Sequence, residues 1–159
     1  MQDCLDALAY VKANAASWGL DPARMIMYGE SAGGHLATIT AYQSNDPAVK
    51  GVVNIYGPSE IEYYWNNLRG GFPDPYIIMA VKNATTSANL RAISCSTYIT
   101  STSPPIVSFQ GTWDTIVPYQ LNVEFHRKLN EANVPNSLFL IPHYQHTMCE
   151  PFSWYKYNF

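Results

Sequence analysis

A serine, an aspartate and two histidines follow one another in this 159-residue sequence in an order that could activate a hydroxyl group. Ser31 lies in the pattern G-x-S-x-G, with Gly29 and Gly33 on either side, which is typical of a serine on a sharp turn between a strand and a helix. A serine is a weak nucleophile alone and needs a general base, which an acid must orient. Asp114 follows in the chain and the histidines come near its end, so the order serine, acid, histidine is complete.

Two histidines, His143 and His146, are candidates for the general base because both follow the last apolar run of the chain. We take His146 as the first candidate, and the reason for this choice is the family resemblance given below. His143 is the alternative and is otherwise expected to be a solvated loop residue. We expect His35 to pack behind the serine turn, and His126, beside basic neighbours on an amphipathic segment, to lie at the surface.

The residues next to Ser31 should shape its turn. A serine on such a turn adopts a strained backbone conformation, and we expect Gly29 and Gly33 to be the small neighbours that this conformation needs. The helix that follows would direct its partially positive N-terminus at a developing oxyanion. Glu30 is expected to form a supporting hydrogen bond and to take no part in proton transfer.

The segments that position these residues alternate between strand and helix patterns. Short apolar runs predict buried strands at residues 25–28, 51–57, 105–109 and 137–141. Helical patterns occupy residues 1–18, 32–43 and 119–132. This alternation predicts an α/β fold, a three-layer sandwich in which helices cover both faces of a mainly parallel sheet. The acid and the histidines each follow a strand end, where parallel sheets build their sites.

The alternating pattern breaks between residues 58 and 104, which are rich in aromatic, Asn, Ser and Thr residues. We interpret the chain, residues 1–159, as one catalytic domain with a cap-like insertion at about 58–104. Its aromatic residues and Trp113 would suit an apolar or aryl acyl group; those in the insertion are Tyr63, Tyr64, Trp65, Phe72 and Tyr76.

Composition excludes several classes of function. The net charge of −3 and the scattered basic residues argue against nucleic-acid binding. The sequence contains neither an apolar run long enough to span a membrane nor the pattern of a signal peptide, which slightly favours a cytoplasmic location. Cys4, Cys95 and Cys149 are widely spaced and predict neither a disulfide framework nor a zinc site. No metal or organic cofactor is expected, since no glycine-rich nucleotide motif follows a strand.

The segments at residues 30–37 (E-S-A-G-G-H-L-A) and 111–118 (G-T-W-D-T-I-V-P) resemble those of the α/β-hydrolase superfamily. Within it they look like the esterase and lipase group with a G-E/D-S-A-G-G turn, of the feruloyl and acetyl esterase type. The resemblance implies a serine hydrolase that cleaves carboxylic esters through an acyl-enzyme on Ser31. It also implies Asp114 as the acid, His146 as the base and the Ala32 amide as one oxyanion donor.

Two features depart from that pattern. The second oxyanion donor of the superfamily lies on an H-G-G loop of an earlier strand, which this sequence lacks, and Gly70-Gly71 comes too late to replace it. The chain also ends soon after His146, so we expect the C-terminal portion of a hydrolase without its N-terminal strands. Strand 25–28 should then have an open edge that favours self-association. A catalytically incompetent fragment and an amidase or peptidase on the same fold are the alternative readings.

Overall fold

The structure is a computed structural model that describes residues 1–68 and 86–147. Four strands form one sheet in the order β1-β2-β3-β4, and all three neighbouring pairs are parallel. The strands are β1 (Met25–Glu30), β2 (Val49–Ile55), β3 (Ile106–Gly111) and β4 (Asn136–Ile141). Each coincides with one of the predicted apolar runs to within a few residues, so the predicted parallel α/β sheet is confirmed.

Helices precede and connect these strands. They are α1 (Gln2–Asn14), α2 (Ala32–Ser44), α3 (Ile61–Asn67), α4 (Ser87–Ala92) and α5 (Gln120–Glu131), with short 3-10 helices at Ala15–Trp18 and Cys95–Tyr98. The second 3-10 helix, α3 and α4 fall within the predicted insertion, whose role as a cap stays a prediction. Gly70, Gly71, Phe72, Tyr76 and Cys149 lie outside the described residues.

The main core lies between one face of the sheet and the helices α1, α2 and α5. Leu8, Ile39 and Phe125 from these three helices meet Val52 and Ile106 from the central strands. Each of these side chains is nearly or fully buried, and burial of a Leu, Ile or Phe side chain contributes roughly 1.5–3 kcal/mol. A smaller apolar cluster beside it joins α3 and α4 to Leu121 of α5.

The opposite face of the sheet is apolar and exposed in the described part of the chain. Ile26, Tyr28 and Phe139 alternate with core-facing residues along their strands, and they are 59%, 60% and 52% exposed. Phe139 stacks on Phe109 of the neighbouring strand with ring centroids 5.1 Å apart. Residues 1–68 and 86–147 thus supply the sheet and one helix layer of the predicted sandwich.

The prediction that His126 lies at the surface is wrong. The residue is 4% exposed, and its ring nitrogens lie 2.8 Å from Ser108 Oγ and 2.8 Å from Asn136 Oδ1. Its basic neighbour Arg127 projects from another side of α5 and pairs with Glu124. Adjacent residues on a helix do not share a face, so charged neighbours in the sequence were a poor guide to this position.

The burial of two histidines makes the unfolding free energy depend on pH. Desolvation lowers the pKa of His126 and of His35 in the folded chain. The unfolded chain therefore takes up protons below about pH 6.5 that the folded chain resists. We expect the unfolding free energy to be fully retained above this pH and to fall as the pH is lowered.

Urea unfolding between about pH 7.5 and about pH 5.5 measures this effect across the range in which histidines of the unfolded chain titrate. His126→Gln removes one titrating group, so its unfolding free energy should fall less steeply than that of the wild type. Equal slopes in the two proteins would contradict the assignment of the effect to His126.

Candidate active site

The structure brings Ser31, His146 and Asp114 into one hydrogen-bonded row. Ser31 Oγ lies 2.8 Å from His146 Nε2, and His146 Nδ1 lies 2.9 Å from Asp114 Oδ2. The three residues come from the loops that follow β1, β4 and β3. The Asp114 side chain is fully buried, whereas the imidazole retains a small exposed area. This is the geometry by which an acid orients a base toward a hydroxyl group.

Ser31 occupies a strained turn between β1 and α2. Its φ of 52° and ψ of −124° lie outside the regions that serine ordinarily adopts. Its amide donates to Ile55 O at 2.9 Å, and its carbonyl accepts from the His35 amide at 3.1 Å. Ala32 begins α2, and the first amides of a helix have no acceptor within the helix. The Ala32 amide is thus available beside the serine, and its role as an oxyanion donor stays a prediction.

The turn depends on close backbone packing that only glycine permits. A Cβ atom on Gly29 would overlap the carbonyl group of Gly33, whereas one on Gly33 would meet nothing within 4 Å. The prediction that Gly33 is needed for its own lack of a side chain is therefore wrong, although it lies in the turn. A Cβ atom on the next residue, Gly34, would overlap the Asn54 side chain, a requirement that the sequence analysis missed.

Glu30 forms hydrogen bonds, as predicted, and it is not a member of the row of Ser31, His146 and Asp114. Its Oε2 accepts from the Tyr56 hydroxyl at 2.7 Å, and its Oε1 accepts from the Tyr28 hydroxyl. These two bonds lower the pKa of the Glu30 carboxyl group. The carboxylate is therefore held by two aromatic side chains directly before the serine.

Asp114 is held by four donors. Its Oδ1 accepts from the amides of Ile116 and Val117 at 2.9 and 2.8 Å. Its Oδ2 accepts from Gln110 Nε2 at 2.8 Å as well as from the imidazole. A buried carboxylate is costly unless it is hydrogen-bonded, and these four contacts compensate for its burial while fixing its direction.

Behind the acid lies a buried polar network that the sequence analysis did not find. Gln110 Oε1 accepts from Asn122 Nδ2 at 2.8 Å, and Asn122 Oδ1 accepts from Ser59 Oγ at 2.7 Å and from Asn54 Nδ2 at 3.2 Å. These four side chains are fully buried. A signal was present, since Asn54 and Gln110 are amides within apolar strands.

The loop that carries His146 is docked on the loop that carries Asp114. Trp113 donates its amide proton to Tyr144 O at 3.0 Å. A Cβ atom on Gly111 would overlap that same carbonyl group, so glycine is needed for the two backbones to approach. The exposed His143 ring packs against Trp113 at 4.5 Å, while His146 takes the position between serine and acid.

The aromatic residues proposed for acyl recognition differ in exposure. Trp113 is 56% exposed, whereas Tyr64 is fully buried in the cluster around Leu121 and cannot line a binding surface. Among residues 1–68 and 86–147, no group of three or more His, Cys, Asp or Glu side chains is arranged to hold a metal ion. No helix within these ranges has the length and apolar character needed to cross a membrane.

The sequence pattern of the BD-FAE family matches residues 1–129. The chain belongs to the BD-FAE family. This match includes Ser31 and Asp114 and ends before His146, so the choice of base depends on the geometry described above. Membership in BD-FAE agrees with the esterase resemblance found in the sequence.

Curated relatives of this BD-FAE chain include two proteins from Mycobacterium tuberculosis. Esterase LipQ is 28% identical over 142 residues, which cover 82% of this chain and 34% of LipQ. The probable carboxylic ester hydrolase LipM is 30% identical over 145 residues, which cover 82% of this chain and 33% of LipM. The chain therefore spans about a third of the length of these relatives.

Solved structures confirm the α/β-hydrolase fold. A truncated carbohydrate esterase from gut microbiota matches with a TM-score of 0.72 and 21% identity, covering 91% of this chain and 60% of that chain. A bifunctional GH43-CE protein from Bacteroides eggerthii matches with a TM-score of 0.75 and 25% identity, and the match covers 91% of this chain and 24% of that protein.

The packing of the turn predicts opposite outcomes for its first two glycines. Gly29→Ala should lower the unfolding free energy by about 1–3 kcal/mol, because the new methyl group overlaps backbone atoms. Gly33→Ala should stay within about 1 kcal/mol of the wild type, because its methyl group would enter open space on a helix. Urea unfolding of both variants measures the difference, and equal destabilisation would show that this packing is wrong.

Proposed function

We propose that this chain is the catalytic part of a serine hydrolase that cleaves carboxylic esters. The observation that carries the proposal is the hydrogen-bonded row of Ser31, His146 and Asp114 on a strained strand-to-helix turn. The esterase activity named for LipQ and LipM supports the choice of an ester as substrate. An amidase that uses the same three residues is the second candidate. Its leaving group would be an amine, whereas that of an esterase is an alcohol.

The geometry supports a two-step mechanism through an acyl-enzyme. His146 Nε2 accepts the Ser31 proton while Oγ attacks the ester carbonyl carbon, and the Ala32 amide donates to the resulting oxyanion. The imidazolium then gives its proton to the departing alcohol oxygen, and the carbonyl re-forms as an acyl group on Ser31. Water attacks this acyl group with His146 again as base, and Ser31 recovers its proton as the carboxylic acid leaves. Throughout, Asp114 holds the Nδ1 proton and thereby fixes the tautomer.

A fluorophosphonate probe tests the nucleophile directly. Only a hydroxyl beside a base and an oxyanion donor reacts quickly, so we expect Ser31 alone to be labelled and Ser31→Ala to lose both labelling and hydrolysis of p-nitrophenyl acetate. Mass mapping identifies the labelled residue, and p-nitroacetanilide tests for amidase activity. Labelling that persists in Ser31→Ala would refute the assignment, and an unlabelled wild-type chain would favour a catalytically incompetent fragment.

The two histidines provide a matched pair for the same assay. His146→Ala should abolish labelling, whereas His143→Ala removes only an exposed ring and should retain most of it. Asp114→Asn should lower the rate by up to about 10⁴-fold, because an amide in this position can favour the wrong tautomer. The reverse result for the histidines would transfer the role of base to His143.

The chain also has a surface suited to a second copy of itself. In the described residues β1 pairs only with β2, and the groove along its other edge has a volume of about 440 Å³ and includes Ala7, Val11 and Leu36. Thr40 Oγ1 borders this groove, is buried and has no hydrogen-bond partner among the described residues. An apolar strand at the margin of a sheet favours pairing with another strand, and we propose that two copies pair through β1.

Sedimentation velocity measures this association. Ile26→Glu places a charge beside the proposed contact and should shift the wild-type dimer toward monomer, since Ile26 is already exposed in the single chain. Val123→Glu changes an exposed residue on α5 and should leave the dimer intact. A wild-type chain that sediments only as a monomer would refute the pairing.

A further inference from the structure

The His146 imidazole packs against a tyrosine that has no part in the proposed proton transfer. The Tyr56 ring lies against it with centroids 4.8 Å apart and an angle of 53° between the planes. Tyr56 follows β2 directly and is 5% exposed. It comes from the strand that contributes no member of the catalytic row.

Tyr56 is itself held at both ends. Its backbone has a φ of 43°, which is unusual for a bulky residue, and its amide donates to Phe109 O at 2.8 Å. Its hydroxyl donates to Glu30 Oε2 at 2.7 Å, one residue before the serine. Strained positions of this kind cluster at functional sites, which points to a contact that this conformation of Tyr56 serves.

The two hydrogen bonds of His146 restrain its ring along one line only. They act at Nδ1 and Nε2, which fixes the ring along the line between the two nitrogens but permits it to rock about that line. A side chain packed against the ring opposes this rocking. Because the residue lies in a loop, neither a helix nor a strand supplies that restraint.

We propose that Tyr56 is a positioning residue, whose ring, anchored by the β2 end, holds the His146 imidazole in line with Ser31 and Asp114. This inference rests on the proposed function, in which the imidazole transfers the serine proton. Tyr56 contacts the base, not the reacting atoms, and so acts through His146.

Three variants separate the ring from its hydroxyl and from general stability. Tyr56→Phe keeps the ring, and Tyr56→Leu removes it; both retain a Cβ atom, so backbone strain is unchanged. Tyr42→Leu is the matched control, because Tyr42 is a buried tyrosine that packs on Phe125 in the main core, with its hydroxyl bonded to Pro104 O.

The first measurement is the rate of Ser31 labelling by the fluorophosphonate in the folded chain. Small displacements of a catalytic group can lower rates by up to about 10²-fold, so we expect at least about a tenfold loss in Tyr56→Leu and less than about a threefold change in Tyr56→Phe and Tyr42→Leu. Wild-type labelling in Tyr56→Leu would overturn the proposal. An equal loss in Tyr42→Leu would attribute the effect to stability and would also overturn it.

The second measurement does not depend on reactivity. The proton on His146 Nδ1, bonded to Asp114, should give a downfield proton NMR signal that is sharp in the wild type and Tyr56→Phe and broadened or lost in Tyr56→Leu. An unchanged signal in Tyr56→Leu would overturn the proposal. If the wild-type chain shows this signal but is not labelled, the esterase proposal is refuted, and the spectra of the Tyr56 variants alone decide the role of Tyr56. If the wild-type chain shows neither the signal nor labelling, both proposals are refuted.

Discussion

A buried carboxylate organises this site. The Asp114 side chain is removed from solvent, and the cost of burying an unpaired charge amounts to several kcal/mol. Two backbone amides, an amide side chain and an imidazole together satisfy it. Each donor requires an element to stand in a defined place: the turn after β3, the end of β3 itself, and the loop after β4. The acid therefore constrains the positions of the residues around it as well as the tautomer of the base.

The same constraint reaches the nucleophile through the core. Gln110 bonds to Asn122 on α5, and Asn122 bonds to Asn54 and Ser59 near the end of β2. Asn54 in turn packs against Gly34 in the first turn of α2. A half-satisfied buried network is more costly than an apolar core, so a change at any of these side chains affects both ends of the site. The part of the core that lies between the serine turn and the acid loop therefore contains buried polar side chains.

Sequence patterns were sufficient to bring forward Ser31, Asp114 and two candidate histidines, because each follows an apolar run, and the family resemblance then implied His146. The run ending at Tyr28 leads to Ser31, and those before Asp114 and His146 mark strand ends that parallel packing brings to one edge. Patterns did not find Gln110, Asn54 or Tyr56, whose contacts depend on which strands are neighbours. They also misplaced His126, because the direction of a side chain on α5 is set by packing and not by the charge of adjacent residues.

The strand order sets the distance between the strand that leads to the serine and the strand that leads to the acid. Serine follows β1 and the acid follows β3, with β2 between them, and neighbouring strands lie about 4.8 Å apart. Two such intervals leave room for one imidazole ring between hydroxyl and carboxylate. Main-chain hydrogen bonds between the strands set this spacing, and side-chain substitution does not alter it. Exchange of side chains at this edge can therefore change what surrounds the imidazole, while the spacing of the strands that lead to Ser31 and Asp114 stays the same.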